Sequence, residues 1–248
     1  MSGSGVDTLT WLGHSSFRLD TTDGTRIYVD PWLTNPSCPE HEREPERVDV
    51  IALTHGHDDH FGETTLDLCR RHRPAIVCIN EFGWWLEARL GPDHDYQRMN
   101  KGGSHTVKGV RMSMTDARHS SSVWPDGAEA GFYVGEPVGF VFHLEDATIY
   151  FAGDTDVFGD MELIRRVHAP DIAVLPVGDR ATMGPRSAAL ALELLGANVC
   201  VPCHFGTWPD FFTGTPDQLA DLTAVAVRTL VPGEMATLSD LLGMSSLS

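Results

Sequence analysis

The stretch Thr54-His55-Gly56-His57-Asp58-Asp59-His60 constrains this chain more than any other. It puts three histidines and two aspartates at the end of the apolar run Val48-Asp49-Val50-Ile51-Ala52-Leu53, which reads as a buried strand. Imidazole and carboxylate are the donors that zinc, iron and manganese share. Further apolar strands end the same way. Residues 106–115 lead to Asp116 and His119, Thr148–Ala152 to Gly153-Asp154, and Val199–Pro202 to Cys203-His204. Strand ends on one edge of a packed sheet converge on one crevice. The chain is therefore expected to fold around a layered sheet core that gathers these residues at one edge.

The rest of the chain fits an α/β or α+β arrangement. Strands are predicted at Thr8–Leu12, Ser16–Leu19, Ile27–Val29, Ala75–Ile79 and Ile172–Pro176. Gly131–Val134 and Gly139–Leu144 read as a strand pair. Helices are predicted over Thr64–Arg73, Glu81–Leu90, Met161–His168, Ser187–Leu195 and, last, Asp217–Val227. Residues 34–47 read as a surface loop. Nothing divides the chain, so 1–248 is expected to be one domain.

Charge and composition narrow the function. The net charge is −17, from 35 acidic and 18 basic side chains. Phosphate backbones are held by clustered Lys and Arg, so no nucleic acid is expected as partner. No apolar stretch reaches the ~18 residues of a membrane span, and no membrane partner is expected. The start, Met1-Ser2-Gly3-Ser4-Gly5, lacks the apolar segment of an export signal, and the five cysteines read as reduced thiols; both suit the cytoplasm. Cys200-Val201-Pro202-Cys203-His204 matches the haem-attachment pattern C-x-x-C-H. Haem is set aside, because attachment goes with export and His204 already belongs to the ligand series. His41, His72, His94, His105, His143 and His168 have no comparable constellation, and Trp84-Trp85 read as core or cap residues.

The run from His55 to His60, followed in order by His119, Gly153-Asp154-Thr155 and His204, resembles the H-x-H-x-D-H signature and later elements of the metallo-β-lactamase superfamily. Trp11-Leu12-Gly13-His14-Ser15-Ser16-Phe17, Asp30-Pro31, Met99-Asn100-Lys101-Gly102-Gly103, Phe151-Ala152-Gly153-Asp154-Thr155 and Thr182-Met183-Gly184-Pro185 are similar to its metal-dependent hydrolase branch, near L-ascorbate-6-phosphate lactonase. The resemblance implies a four-layer αββα sandwich of two facing mixed β-sheets, in two similar halves meeting near residue 125. It implies two divalent ions, zinc first, with manganese, iron or nickel also served by these donors. One ion would be held by His55, His57 and His119, the other by Asp59, His60 and His204, with Asp154 shared. Two such ions sharing a water supply hydroxide near neutral pH.

The function expected is hydrolysis of a small ester, lactone or phosphodiester, with Asp59 orienting the attacking water and taking its proton. The alternatives are a nuclease of the same fold and a metal-binding scaffold without catalysis. Asp30 is a candidate acceptor for a ligand imidazole N–H, or else a turn cap. His14 is a supporting or substrate-contacting group, or else a structural histidine. Asp179, Arg180 and Thr182 follow another strand end, where Arg180 either holds an anionic substrate group or forms a surface ion pair. In similar sequences an aromatic precedes Thr-Met-Gly-Pro; here Ala181 opens the pocket wall. Substrate identity and self-association are left open.

Overall fold

The computed structural model describes residues 6–125 and 127–244. The chain begins with Thr8–Trp11 (β1), Phe17–Asp20 (β2), Arg26–Val29 (β3) and Val50–Ala52 (β4). Glu63–His72 (α1), Ala75–Ile79 (β5), Asn80–Leu90 (α2) and Asp95–Met99 (β6) follow. Next come Ser104–Val107 (β7), Val110–Asp116 (β8), Ser122–Val123 (β9), Phe132–Tyr133 (β10), Val138–His143 (β11) and Thr148–Phe151 (β12). Met161–His168 (α3), Ile172–Pro176 (β13), Pro185–Leu195 (α4) and Val199–Cys203 (β14) lead to the closing elements. These are Pro216–Ala220 (α5), Ala226–Val227 (β15), Met235–Thr237 (β16) and Leu238–Leu241 (α6).

Among the described residues the strands form two seven-stranded sheets and a small ribbon of β9 and β10. The first sheet runs β16-β1-β2-β3-β4-β5-β6 and the second β15-β14-β13-β12-β11-β8-β7. Both are mixed: β3 to β6 are parallel neighbours, as are β12 to β15, while β1 to β3 and β8, β11 and β12 pair antiparallel.

Strand alternation explains the layering. In the second sheet Phe140, Phe142, Phe151, Val174 and Val201 face inward with Leu9, Phe17 and Val50 of the first sheet. Phe17 and Phe151 meet edge to face with ring centres 5.5 Å apart. Their neighbours Val141, Tyr150, Ala173, Leu175 and Cys200 face outward, under Met161 and Ile164 of α3 and Ala188, Ala191 and Leu192 of α4. Apolar side chains on both faces are what a sheet covered on both sides requires. The helices obey their end signals. Pro185 opens α4, Gly196 closes it with φ 62°, and Thr215 and Gln218 form a reciprocal cap on α5.

Two expectations are corrected. Residues 131–134 and 139–144 do not pair with each other; β10 pairs with β9, and β11 with β8 and β12. Gly135, at φ 91°, and Pro137 break the chain between them. The helix expected last, over Asp217–Val227, stops at Ala220, because the Thr223 hydroxyl accepts from the Val225 N–H and Ala226–Val227 joins β14, and α6 follows it. Strand β6 carries no apolar alternation, and its pairing with β5 alone defines it.

Candidate metal centre

Strand ends supply the site. Asp30 follows β3, the segment from Thr54 to His60 follows β4, His119 lies just beyond β8, Asp154 follows β12, and His204 follows β14. The turn between β1 and β2 brings in His14, whose carbonyl accepts from the His204 N–H at 3.1 Å. Among the described residues eight non-glycine positions have positive φ, and five of them lie at strand ends on this edge: His14, Asp30 and His204 in the segments above, and Asp179 and Arg180 after β13. Such backbone costs about 1–3 kcal/mol per residue and persists where the surroundings over-determine it. The packing is close enough to dictate glycine. A Cβ on Gly178 would lie 2.0 Å from the His204 carbonyl oxygen, and one on Gly153 would lie 2.9 Å from Thr54 Cβ.

The side chains fall into two groups. His55, His57 and His119 offer ring nitrogens within 4.8 Å of one another, and so do His14, Asp59, His60 and His204 with their ring nitrogens and carboxylate. In the first group His57 Nδ1 is 3.1 Å from His55 Nε2 and 3.3 Å from His119 Nε2. In the second, Asp59 Oδ2 is 3.2 Å from His14 Nε2 and 3.7 Å from His204 Nε2. Asp154 stands between them. Its Oδ1 is 3.2 Å from His60 Nε2, and its Oδ2 is 3.1 Å from His204, 3.6 Å from His119 and 4.0 Å from His55. Asp58 is exposed and belongs to neither group.

Hydrogen bonds behind the cluster fix which nitrogen faces in. Asp30, 1% exposed, accepts from the Thr54 N–H at 2.8 Å through Oδ1. Its Oδ2 accepts from the Thr54 hydroxyl at 2.5 Å and from His60 Nδ1 at 2.9 Å. The Thr54 oxygen, its proton directed to Asp30, takes the Nδ1 proton of His55 at 3.0 Å. Both imidazoles therefore turn Nε2 toward Asp154. Asp30, His55 and His60 also come within 4.8 Å of one another. The Asp30 oxygens are spent on Thr54 and His60 Nδ1, so this third group is support. His14 is held the same way. Asp59 only accepts, so His14 Nε2–H donates to it, and Nδ1 accepts from the Thr207 hydroxyl at 2.9 Å.

Whether cations fit is decided by what the donors lack. His60 Nε2, Asp154 Oδ1 and both ring nitrogens of His204 are buried with no hydrogen-bond partner. A buried polar atom left so costs about 1–3 kcal/mol. His60 Nε2 lies 3.2 Å from Asp154 Oδ1 and His204 Nε2 lies 3.1 Å from Asp154 Oδ2, so both rings converge on this carboxylate. His60, His204 and the carboxylates beside them are a donor set that suits a divalent ion.

Protonation follows the same division. Burial pushes His55, His57 and His119 below the ordinary histidine value, His55 furthest, and pushes His14 to about 4 against its bond to Asp59. Burial opposes charge on His60 and His204 as well, but Asp154 outweighs it and raises His60 well above the ordinary value and His204 to about 9. Asp154 and Asp59 resist burial through these imidazoles and stay well below the usual carboxylate range. Without an ion, protons on His60 and His204 fill the positive role.

The structure brings together His55, His57, Asp59, His60, His119, Asp154 and His204, with Asp30 and His14 behind them. The other three candidates, Asp179, Arg180 and Thr182, stand apart. The Asp179 carboxylate accepts from the Arg180 N–H, and the Thr182 hydroxyl donates to the Met183 carbonyl. Arg180 lies on the Phe211 ring at 3.8 Å. Thr207 and the aromatics Trp32, Trp208 and Phe212 around His14 had no signal in the sequence. Thr54 had one, as the residue before the first ligand-type histidine.

A family description, Beta-lactamase superfamily domain, matches residues 8–204. The chain belongs to the beta-lactamase superfamily. Its two mixed sheets with flanking helices are the metallo-β-lactamase fold, α+β in class. It is 43% identical over 229 residues to a UPF0173 metal-dependent hydrolase of Koribacter versatilis, covering 91% of this chain and 96% of the relative. It is 39% identical over 238 residues to one of Herpetosiphon aurantiacus, covering 93% and 97%. Among solved structures it resembles Igni18, a metallo hydrolase of Ignicoccus hospitalis, at 31% identity and a TM-score of 0.80, covering 94% of this chain and 99% of that one. No helix among the described residues is long and apolar enough to cross a membrane.

Proposed function

We propose that this protein is a dinuclear metal-dependent hydrolase of small esters, lactones or phosphodiesters. The observation that carries the reading is Asp154, buried between the two donor groups, with its Oδ1, His60 Nε2 and His204 Nε2 left without a hydrogen-bond partner. His55, His57 and His119 would hold one divalent ion, Asp59, His60 and His204 the other, and Asp154 both; zinc, manganese, iron and nickel all suit these donors. When bound, such a pair lowers the pKa of water and polarises an acyl or phosphoryl oxygen.

The protein's own residues do the rest. Asp30 and Thr54 lock His60 and His55 with Nε2 inward. His14, braced by Thr207, aims the Asp59 carboxylate. Asp59 is partly exposed, with a side-chain accessibility of 19%, so it reaches both the cluster and solvent. We assign it the orientation of the attacking water and acceptance of its proton. Sheet packing and the aromatics around His14 keep bulk water from the inner face. The chain's net charge of −17 weighs against a nuclease, and Asp59 at the open side weighs against a silent scaffold. The five cysteines are buried free thiols, which suits a reducing compartment such as the cytoplasm.

The test is a panel of p-nitrophenyl esters, aromatic lactones and bis-p-nitrophenyl phosphate with protein loaded with each metal. Turnover of one class by wild type, lost by at least a hundredfold in Asp59→Ala with the fold intact, is the result expected. Silence across the panel with both groups loaded would favour the scaffold.

A further inference from the structure

Two strand-end loops meet beside His204 and leave exposed chemistry that the metal cluster does not use. The loop after β13 is pinned to its surroundings: Gly178 packs against the His204 carbonyl, the Gly178 carbonyl accepts from Gly214 N–H at 3.1 Å, and Met183 N–H donates to the Thr155 carbonyl at 3.0 Å. Thr155 directly follows Asp154. Between these anchors Asp179 and Arg180 are both left-handed, at φ 65° and 59°. Non-glycine residues of this kind are strained and cluster at active sites and ligand clamps.

The side chain presented is a guanidinium stacked on Phe211. Phe211 touches Phe212 at 4.9 Å, and Phe212 touches the His204 ring at 4.6 Å. Trp208 packs on Phe212 at 5.7 Å and reaches Trp32 at 5.6 Å. The wall thus runs from the metal cluster outward to Arg180. Phe211 is 40% exposed and Trp208 41%, although both adjoin a packed cluster. Arg180 is exposed and makes no ion pair among the described residues. The neighbouring Asp179 carboxylate is turned back to the Arg180 N–H at 2.8 Å. Stacking on an aromatic face leaves the guanidinium edge, with its paired N–H donors, open to a planar acceptor.

We propose that Arg180, with Phe211 and Trp208, forms a subsite for a carboxylate carried on an apolar arm of the substrate, so that the preferred substrates are anionic esters or lactones. The inference rests on the hydrolase reading above. In a chain of net charge −17 an anion needs a dedicated cation near the site, and a single guanidinium matches the single charge of a carboxylate. The apolar wall between Arg180 and His204 suits a chain of methylenes.

The test compares p-nitrophenyl butyrate with mono-p-nitrophenyl glutarate, which adds a terminal carboxylate to a similar acyl chain. Metal-loaded wild type should prefer the glutarate ester by about tenfold or more in kcat/KM, the scale of a charge-assisted hydrogen bond. Arg180→Gln should bring the ratio of the two esters close to one, through KM, and Arg180→Lys should fall between. Calorimetry with free glutarate should show about tenfold weaker binding to Arg180→Gln. No preference in wild type, a ratio retained by Arg180→Gln, or equal glutarate binding would each overturn the subsite. If neither ester turns over, the reading as an ester hydrolase fails, and glutarate calorimetry still decides the subsite.

Discussion

Replacing Asp30 by Asn changes one oxygen to an NH2 group and leaves the shape intact. Asp30 Oδ1 accepts one proton, from the Thr54 N–H, and Oδ2 accepts two, from the Thr54 hydroxyl and His60 Nδ1. An amide has one accepting oxygen. Keeping it on the Thr54 N–H side sets NH2 against His60 Nδ1–H; flipping it sets NH2 against the backbone N–H. The Thr54 hydroxyl can rotate, but the imidazole can respond only by moving its proton to Nε2. That atom faces Asp154 Oδ1 at 3.2 Å and is the one turned toward the cluster. A lost partner of this kind costs about 10–100-fold in metal affinity, or about 1.4–2.8 kcal/mol. Without metal, one buried donor is left unpaired, about 1–3 kcal/mol, which lowers Tm by roughly 2–12 °C for a chain of this size. Competition with a chromophoric chelator measures the first quantity and calorimetric unfolding of stripped protein the second. Wild-type affinity in both donor groups of Asp30→Asn would refute the tautomer argument.

Other perturbations probe other parts of the site. Thr207→Val removes the hydroxyl that fixes His14 and should lower turnover by about tenfold or more, while Thr207→Ser restores it; equal activity of the two variants would show that Thr207 only fills space. The stability of metal-stripped protein should peak near pH 6.5. Below that value the unfolded chain binds a proton that buried His14 refuses until about pH 4, so stability falls as pH falls. Above it the unfolded chain has released the proton that His204 keeps until about pH 9, so stability falls as pH rises. Thermal unfolding from pH 4 to 9 checks this, and a monotonic curve would contradict it. Across pH 6.5–9 apparent metal affinity should rise, because the ion must displace that same proton; chelator competition at the two ends of the window measures it.

Much of the centre was legible in the sequence because its donors lie directly after apolar strands, and parallel strands leave their carboxyl ends on one edge. The position of Asp30 after Ile27–Val29 was enough to suggest its supporting role. Thr207 and Trp208 were not legible. They matter only because their loop folds back onto a turn near the start of the chain, and nothing local marks that contact. The ribbon of β9 and β10 was missed because Phe132 and Tyr133 pair with a segment that reads as loop. The end of α5 was missed because β14 offers residues 226–227 a sheet edge, and tertiary pairing overrides a weak helical pattern.

The central claim is that Asp154 shares two cations between two donor groups. Elemental analysis of protein reconstituted and freed of excess metal tests it most directly, together with Asp154→Ala and with His57→Ala, which touches one group only. The account expects about two divalent ions per chain in wild type, about one in His57→Ala, and weakened binding at both groups in Asp154→Ala. A single ion in wild type, unaltered in His57→Ala, would contradict it.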